Sequence, residues 1–246
     1  MSKPTGRPTP DIYRSEFVRG LFDEMSATYG TVNVLSSFGF CIRWRRQCAA
    51  AASIREGETV VDFFSGMGEL WPDVVAQAGP SVRLTAVDFS PAMVARSQKT
   101  ARRFPQARIA VLEEDVLANS IPAASVDVVV SSFGLKTFTS EQRAALARET
   151  ARVLRPGGRF SYLEISVPPQ RWLRWPYMFY VRYIVPMLGR LLLGNPENYR
   201  LLGVYTDAFG NAADFTEQCA AAGLRAEYKR YFFGCATGVV GTKPAT

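Results

Sequence analysis

Between residues 59 and 241, short apolar runs alternate with amphipathic stretches, the pattern of βαβ units feeding a parallel sheet. Residues 59–64 (TVVDFF), 83–88 (RLTAVD), 108–112 and 126–131 (VDVVVS) read as buried strands. Each leads into a turn and then a helix or connecting loop. A fifth strand is expected near residues 159–165, after Arg155-Pro156-Gly157-Gly158, whose Pro-Gly-Gly stop ends the preceding helix. Residues 225–242 read as two strands around a turn at Gly234, a terminal antiparallel hairpin. The pattern as a whole predicts a doubly wound α/β fold.

Two segments stand outside this alternation. Residues 12–56 look helical and precede the first strand. Residues 170–202 insert WLRWPYMFYVRYIVPMLGRLLLG between the fifth strand and the last helix. Arg174, Arg182 and Arg190 interrupt that stretch and Pro176 and Pro186 break it, so it is not a bilayer span; the expected role is a lid over an apolar pocket. The organisation predicted is a flexible tail over 1–11 and one domain over 12–246, with 12–56 as a helical cap and 170–202 as the lid.

Composition narrows the classes of function. Lys and Arg total 29 against 22 Asp and Glu, but no run of five like charges appears, which argues against a nucleic-acid partner. An anionic small substrate or an acidic membrane surface suits the excess better, and plain solubility suits it equally. Four cysteines without C-x-x-C spacing argue against a zinc site, and the lack of histidine against Cys–His chemistry; no metal is expected. Scattered cysteines and no apolar leader suggest a cytoplasmic setting. Peripheral membrane contact and a homodimer stay open.

The strand tips carry the candidate chemistry. The first strand runs into Asp62-Phe63-Phe64-Ser65-Gly66-Met67-Gly68-Glu69, where Gly66 and Gly68 let the backbone approach a ligand. Asp88 ends the second strand about twenty residues beyond the glycines, placed to accept both hydroxyls of a ribose. Asp115 follows the third strand, within reach of an adenine amino group. Taken together these indicate a nucleoside site. A third glycine would complete a dinucleotide fingerprint, but Trp71 stands there, and Asp62 and Glu69 flanking the bend suit a cationic ligand better than a pyrophosphate.

These residues resemble the class I methyltransferases, and more narrowly the ubiquinone/menaquinone-biosynthesis C-methyltransferase family, over nearly the whole chain. The resemblance is carried by Leu21-Phe22-Asp23 with Tyr29 and Asn33, by Ser37-Phe38-Gly39 with Trp44-Arg45, and by Ser132-Phe133-Gly134-Leu135. It continues through Val153-Leu154-Arg155-Pro156-Gly157-Gly158 with Leu163-Glu164, and through Asn198-Tyr199-Arg200-Leu202. It implies a seven-stranded sheet, S-adenosyl-L-methionine as methyl donor and a lipophilic acceptor. It further implies that Asp62, Ser65, Gly66 and Gly68 line the methionine end, with Ser131 or Ser132 beside it. Asp88 would hold the ribose, with Phe89, Asp115 and Val116 around the adenine. Two departures stand out. The usual glycine-rich turn is here Phe64-Ser65-Gly66-Met67-Gly68, and the family's Arg-Asn after Phe-Gly-Leu is here Lys136-Thr137, a point charge in place of a planar fork. The second departure predicts an acceptor other than a quinol.

Methyl transfer from a sulfonium is an in-line displacement that needs alignment more than acid–base help. A carbon acceptor must also lose a proton, and without histidine the base falls to a carboxylate, tyrosine or lysine. Glu164, Tyr29 and Lys136 are the candidates, with Thr137, Trp175, Phe179, Tyr199 and Arg200 expected around the acceptor. The expected function is C-methylation of a small lipophilic acceptor, isoprenoid, prenylated or quinol-like, with room for an anionic head. The alternatives are an O- or N-methyltransferase of a specialised metabolite or lipid, a non-methylating cyclase that retains the cofactor, and a lipid- or membrane-binding module on a dead methyltransferase fold.

Overall fold

The structure is a computed structural model that describes residues 11–192 and 195–245. The predicted tail lies outside the described residues except for Asp11, which opens a short 3-10 turn. Three helices come first: α1 (Ser15–Met25), α2 (Tyr29–Ser36) and α3 (Phe40–Ala52). The sheet then builds from β1 (Thr59–Phe63), β2 (Arg83–Asp88), β3 (Arg108–Glu113), β4 (Val126–Ser132) and β5 (Leu154–Ile165), closed by β6 (Arg225–Tyr231) and β7 (Ala236–Thr242). Between them run α4 (Trp71–Ala78), α5 (Pro91–Ala101) and α6 (Ser140–Val153), and after β5 come α7 (Arg171–Phe179), α8 (Val185–Leu191), α9 (Pro196–Phe209) and α10 (Ala213–Ala221).

The seven strands lie in the order β3-β2-β1-β4-β5-β7-β6. Pairing is parallel from β3 through β5, and β7 runs antiparallel to both neighbours. Two-residue alternation assigns each strand to two cores. On one face Val61, Phe63, Val129, Phe160 and Tyr162 pack on α6 and α10 through Leu146, Ala147 and Phe215. On the other, Val60, Leu84, Val128 and Val130 pack on α3 and α4 through Ala49, Ala52, Trp71 and Val74. The chain moves outward from β1 to β3, then crosses back to β4. The sheet's switch point therefore lies between β1 and β4, where an open α/β sheet leaves a crevice at the strand tips.

Two expectations change in detail. Pro-Gly-Gly does not precede β5 but sits within it: Val126 pairs Leu154 and Val128 pairs Arg159, so the intervening residues bulge out of register, with Gly157 at φ 78°. The prolines of the inserted segment do not break it. Helix α7 runs through Pro176, a π turn over Tyr180–Ile184 follows, and Pro186 falls in the first turn of α8, where its missing N–H is not needed.

Candidate active site

Two pockets open on the carboxyl side of the sheet. The first, of about 840 Å³ including its mouth, is lined at the strand tips by Phe64, Ser65, Gly66, Asp88, Phe89 and Asp115, and from α3 by Arg45. The second, of about 1190 Å³, is largely apolar and bounded by Phe40, Trp44, Ile165, Tyr177, Tyr180 and Val185. Tyr29 and Phe133 line both, so the two spaces meet at these rings.

The bend after β1 is held without a conventional cap. Ser65 N–H donates to the Val87 carbonyl (3.1 Å) and Gly68 N–H to that of Ser65 (2.9 Å). Gly66 and Gly68 lie at φ 53° and 82°, and a Cβ at Gly68 would stand 2.7 Å from the Trp71 ring. Phe64 also adopts positive φ (55°) and turns its ring over Gly134, where any side chain would collide with it. The bulky Phe64 is thus matched by a residue with none.

Asp88 accepts from Gly66 N–H and Ser90 N–H, both at 2.9 Å. Burial pushes its carboxyl up to about 6, with Glu69 and Asp23 adding to the rise against those two donors. Asp115 accepts from Leu117 N–H at 2.9 Å and lines the first pocket with Val116. Arg45 reaches in from α3. It is buried, donates to Glu69 at 3.2 Å and stands 5.1 Å from the centre of the Phe133 ring. Sequence reading placed Trp44-Arg45 only as part of a motif and missed this role. The available signal was periodicity: of the three arginines of α3, Arg45 is the one spaced four and three residues from Cys41 and Cys48 on the helix's buried side.

The sequence candidates divide. Ser65, Gly66, Asp88, Phe89, Asp115, Val116 and Thr137 line the first pocket, and Tyr29 lines both. Thr137 therefore belongs to the donor side, its hydroxyl donating to the Gly134 carbonyl at 2.8 Å. Asp62 is not on the wall. Strand alternation turns it toward α4, where it accepts from the Trp71 indole at 3.0 Å and burial raises its carboxyl well above the ordinary range. Gly68 shapes the bend from beneath without lining the pocket. Ser131 is buried and its neighbour Ser132 takes the wall position.

On the acceptor side Lys136 lines the second pocket, but Glu164 does not. Glu164 is fully buried and accepts from Lys136 Nζ (2.7 Å), Lys136 N–H (3.1 Å) and Ile165 N–H (2.8 Å); three donors engage it and it does not line the pocket. Trp175 and Phe179 stack on each other at 5.9 Å on the outer face of α7, 75% and 46% exposed, and do not enter the pocket. Tyr199 is buried against α8, its hydroxyl 2.8 Å from that of Thr28. Arg200 forms a surface pair with Glu197 at 2.8 Å. The inserted helices line the pocket instead with Tyr177, Tyr180, Val181 and Val185; Tyr180 also donates to the Ser36 carbonyl of α2 at 2.9 Å.

A crevice at the switch point of a seven-stranded sheet, with Asp88 and Asp115 at successive strand tips and a second, apolar space beside it, has the build of the Rossmann-like methyltransferases. The fold agrees with a solved SAM-dependent methyltransferase from Aquifex aeolicus (TM-score 0.56, 17% identity, covering 81% of this chain and 89% of that one). The ubiE/COQ5 methyltransferase family model matches residues 11–243, and the chain belongs to that family. A relative named demethylmenaquinone methyltransferase from Thermus thermophilus is 34% identical over 227 residues, 91% of this chain and 100% of its own. Another, named ubiquinone/menaquinone biosynthesis C-methyltransferase UbiE, from Rubrivivax gelatinosus, is 33% identical over 233 residues, 94% of this chain and 89% of its own.

S-adenosyl-L-methionine is the methyl donor, and the residues present fit it. Two buried polar atoms of pocket-lining residues, Ser65 Oγ and Arg45 Nε, have no partner within the protein. The polar amino-acid end of the donor would satisfy them. Asp88 offers its carboxylate where ribose hydroxyls would lie, and Phe89 and Val116 offer apolar surface to a purine.

Proposed function

We propose that this enzyme transfers a methyl group to a ring carbon of a quinol-like acceptor carrying an apolar tail. The observation that carries this reading is the meeting of the polar first pocket and the apolar second pocket at Tyr29 and Phe133. The names of the relatives support a quinone-like ring, and the aromatic and aliphatic wall supports the tail. Among the described residues no helix is long and apolar enough to cross a membrane.

When bound, the donor supplies an electrophilic methyl group, and the protein supplies alignment. Ser65, Arg45, Asp88 and Asp115 hold the donor. Phe133 and Tyr29 form the shared wall and exclude water from the space between the two ligands. Burial, then the negative charge of Glu69, raises the Tyr29 phenol above its ordinary value, so at neutral pH it is a hydrogen-bond donor and not a base. Lys136 takes the position facing an acceptor oxygen. Its ammonium donates to Glu164 and, at 3.4 Å, to the Phe133 carbonyl, which leaves its third N–H for the pocket. A cation there favours the ionised hydroxyl of the acceptor, whose proton leaves to solvent, and so raises electron density at the adjacent ring carbon; after methyl transfer that carbon gives up its own proton and the oxygen regains one, so no protein base is required. Glu164 holds that ammonium in place. The same lysine answers for the family's arginine and makes a quinol compatible with the departure seen in the sequence.

Incubation with methyl-labelled donor and a chemically reduced prenyl naphthoquinol or benzoquinol tests the reading. The expected product carries the label on a ring carbon. Label on oxygen, or none on any reduced quinol, overturns it. Tyr29→Phe should lower kcat with donor affinity intact; unchanged kcat removes Tyr29 from the reaction.

A further inference from the structure

Among the described residues, most of the large exposed hydrophobic side chains gather on one side. Along α7, the π turn and α8, Trp172, Trp175, Phe179, Tyr183, Met187 and Leu191 follow one another at intervals of three and four, so they form a single outward stripe. Trp172 and Trp175 are 70% and 75% exposed. The stripe continues onto two turns. Trp172 meets Phe233 edge-on (6.4 Å), Phe233 meets Phe232 (5.6 Å), and Phe38 lies 5.9 Å from Tyr180.

Those turn phenylalanines are costly twice over. Phe38, Phe232 and Phe233 have φ of 49°, 40° and 56°, a left-handed backbone disfavoured for any residue with a Cβ, and each holds its ring out to solvent. Phe38 and Phe232 also line the mouth of the apolar second pocket, as do Tyr180 and Val181 from the π turn. The exposed face and the pocket opening are therefore continuous.

Charge on this side is mostly positive. No acidic residue occurs between Glu164 and Glu197, a stretch holding Arg171, Arg174, Arg182 and Arg190, and none between Glu24 and Glu56, which holds Arg43 and Arg46. Of the four arginines near the stripe, Arg182 pairs with Asp207 at 2.6 Å and Arg174 donates to the Pro168 carbonyl, while Arg171 and Arg190 are exposed. Exposed tryptophans between arginines are the composition of a helix that lies in a bilayer interface. A second copy fits less well, because an isologous contact would set the exposed Arg171 and Arg190 against arginines of the other copy, while Asp207 is already engaged by Arg182.

We propose that this face docks on an anionic lipid bilayer, with the rings of α7 and the two phenylalanine turns in the headgroup layer. A tailed acceptor then passes from lipid into the second pocket without crossing water. The last step rests on the function proposed above; the docking itself does not.

The test is co-sedimentation of the whole protein with vesicles of equimolar phosphatidylglycerol and phosphatidylcholine at low salt, beside vesicles of phosphatidylcholine alone. Binding to the anionic vesicles is expected, with a blue shift of tryptophan emission, since Trp44 and Trp71 are already buried and Trp172 and Trp175 are the reporters. Trp172→Ser with Trp175→Ser should weaken partition on the order of tenfold. Arg171→Gln and Arg190→Gln should weaken it about fivefold each. Donor affinity should be unchanged in all of them, which shows the variants fold. Failure to bind anionic vesicles, partition unaltered in the tryptophan variant, or a dimer that the tryptophan variant disperses while vesicles bind neither form would each overturn the proposal. Vesicle binding by an enzyme that methylates no quinol would leave the docking standing and remove the proposed acceptor.

Discussion

Donor binding should depend on pH through Asp88. Its carboxyl is buried at the tip of β2 and titrates near 6, against an ordinary value of 3.8, because burial outweighs the two backbone N–H groups that favour its charge. Ribose hydroxyls donate to a carboxylate and bind its protonated form poorly. Affinity should therefore be level above pH 7 and fall as pH drops through 6. At pH 5, about one protein in ten retains the charge, so the loss approaches tenfold for that unit. The chain contains no histidine, the residue that would otherwise claim a transition in this range. Calorimetric titration with S-adenosylhomocysteine from pH 5 to 8 measures it. Asp88→Asn should weaken binding at pH 7 about tenfold or more, by the loss of hydrogen bonds to a charged group, and should flatten the profile. A level profile in the unaltered protein, or a slope surviving in Asp88→Asn, would refute the assignment. The same shift carries a stability consequence. Between pH 4 and 6 the folded state binds the proton that the unfolded chain has released, so the donor-free protein loses stability as pH rises, by up to about 3 kcal/mol. Thermal unfolding across that range, with and without donor, reads this directly.

Glu164→Gln should cost about 3–5 kcal/mol in urea unfolding, because it strands the buried Lys136 ammonium 2.7 Å from a neutral group. The pair Glu164→Leu with Lys136→Met should recover most of that loss, and equal losses would mean the ion pair is not the cause. Gly68→Ala places a methyl group 2.7 Å from the Trp71 ring at φ 82° and should destabilise by about 1–3 kcal/mol; an unchanged midpoint would refute the close packing of that bend. Ser65→Ala leaves the fold intact but removes one partnerless hydroxyl from the donor pocket, and donor affinity should drop about fivefold, measured by the same calorimetry.

The sequence by itself determined the alternation of strands and helices, the glycine bend after β1 and the acid at the tip of β2. These are local: a period of two, a left-handed turn and a strand end are written in neighbouring residues. It determined as well that no histidine takes part. What side each residue faces at the strand ends was decided by tertiary structure. Asp62 and Ser65 are three positions apart, yet one is sealed under Trp71 and the other opens on the pocket. Lys136 follows β4 and Glu164 lies near the end of β5, and only the pairing of those strands brings them together, which takes Glu164 out of the pocket and fixes the ammonium of Lys136 at its wall. The inserted helices were legible as apolar and aromatic, but their rotation was not. Contacts with α2 and the β6–β7 turn set Tyr177 and Tyr180 inward and Trp175 and Phe179 outward. A helix with aromatic residues on most of its circumference carries no inward face in its own pattern, so its neighbours choose one.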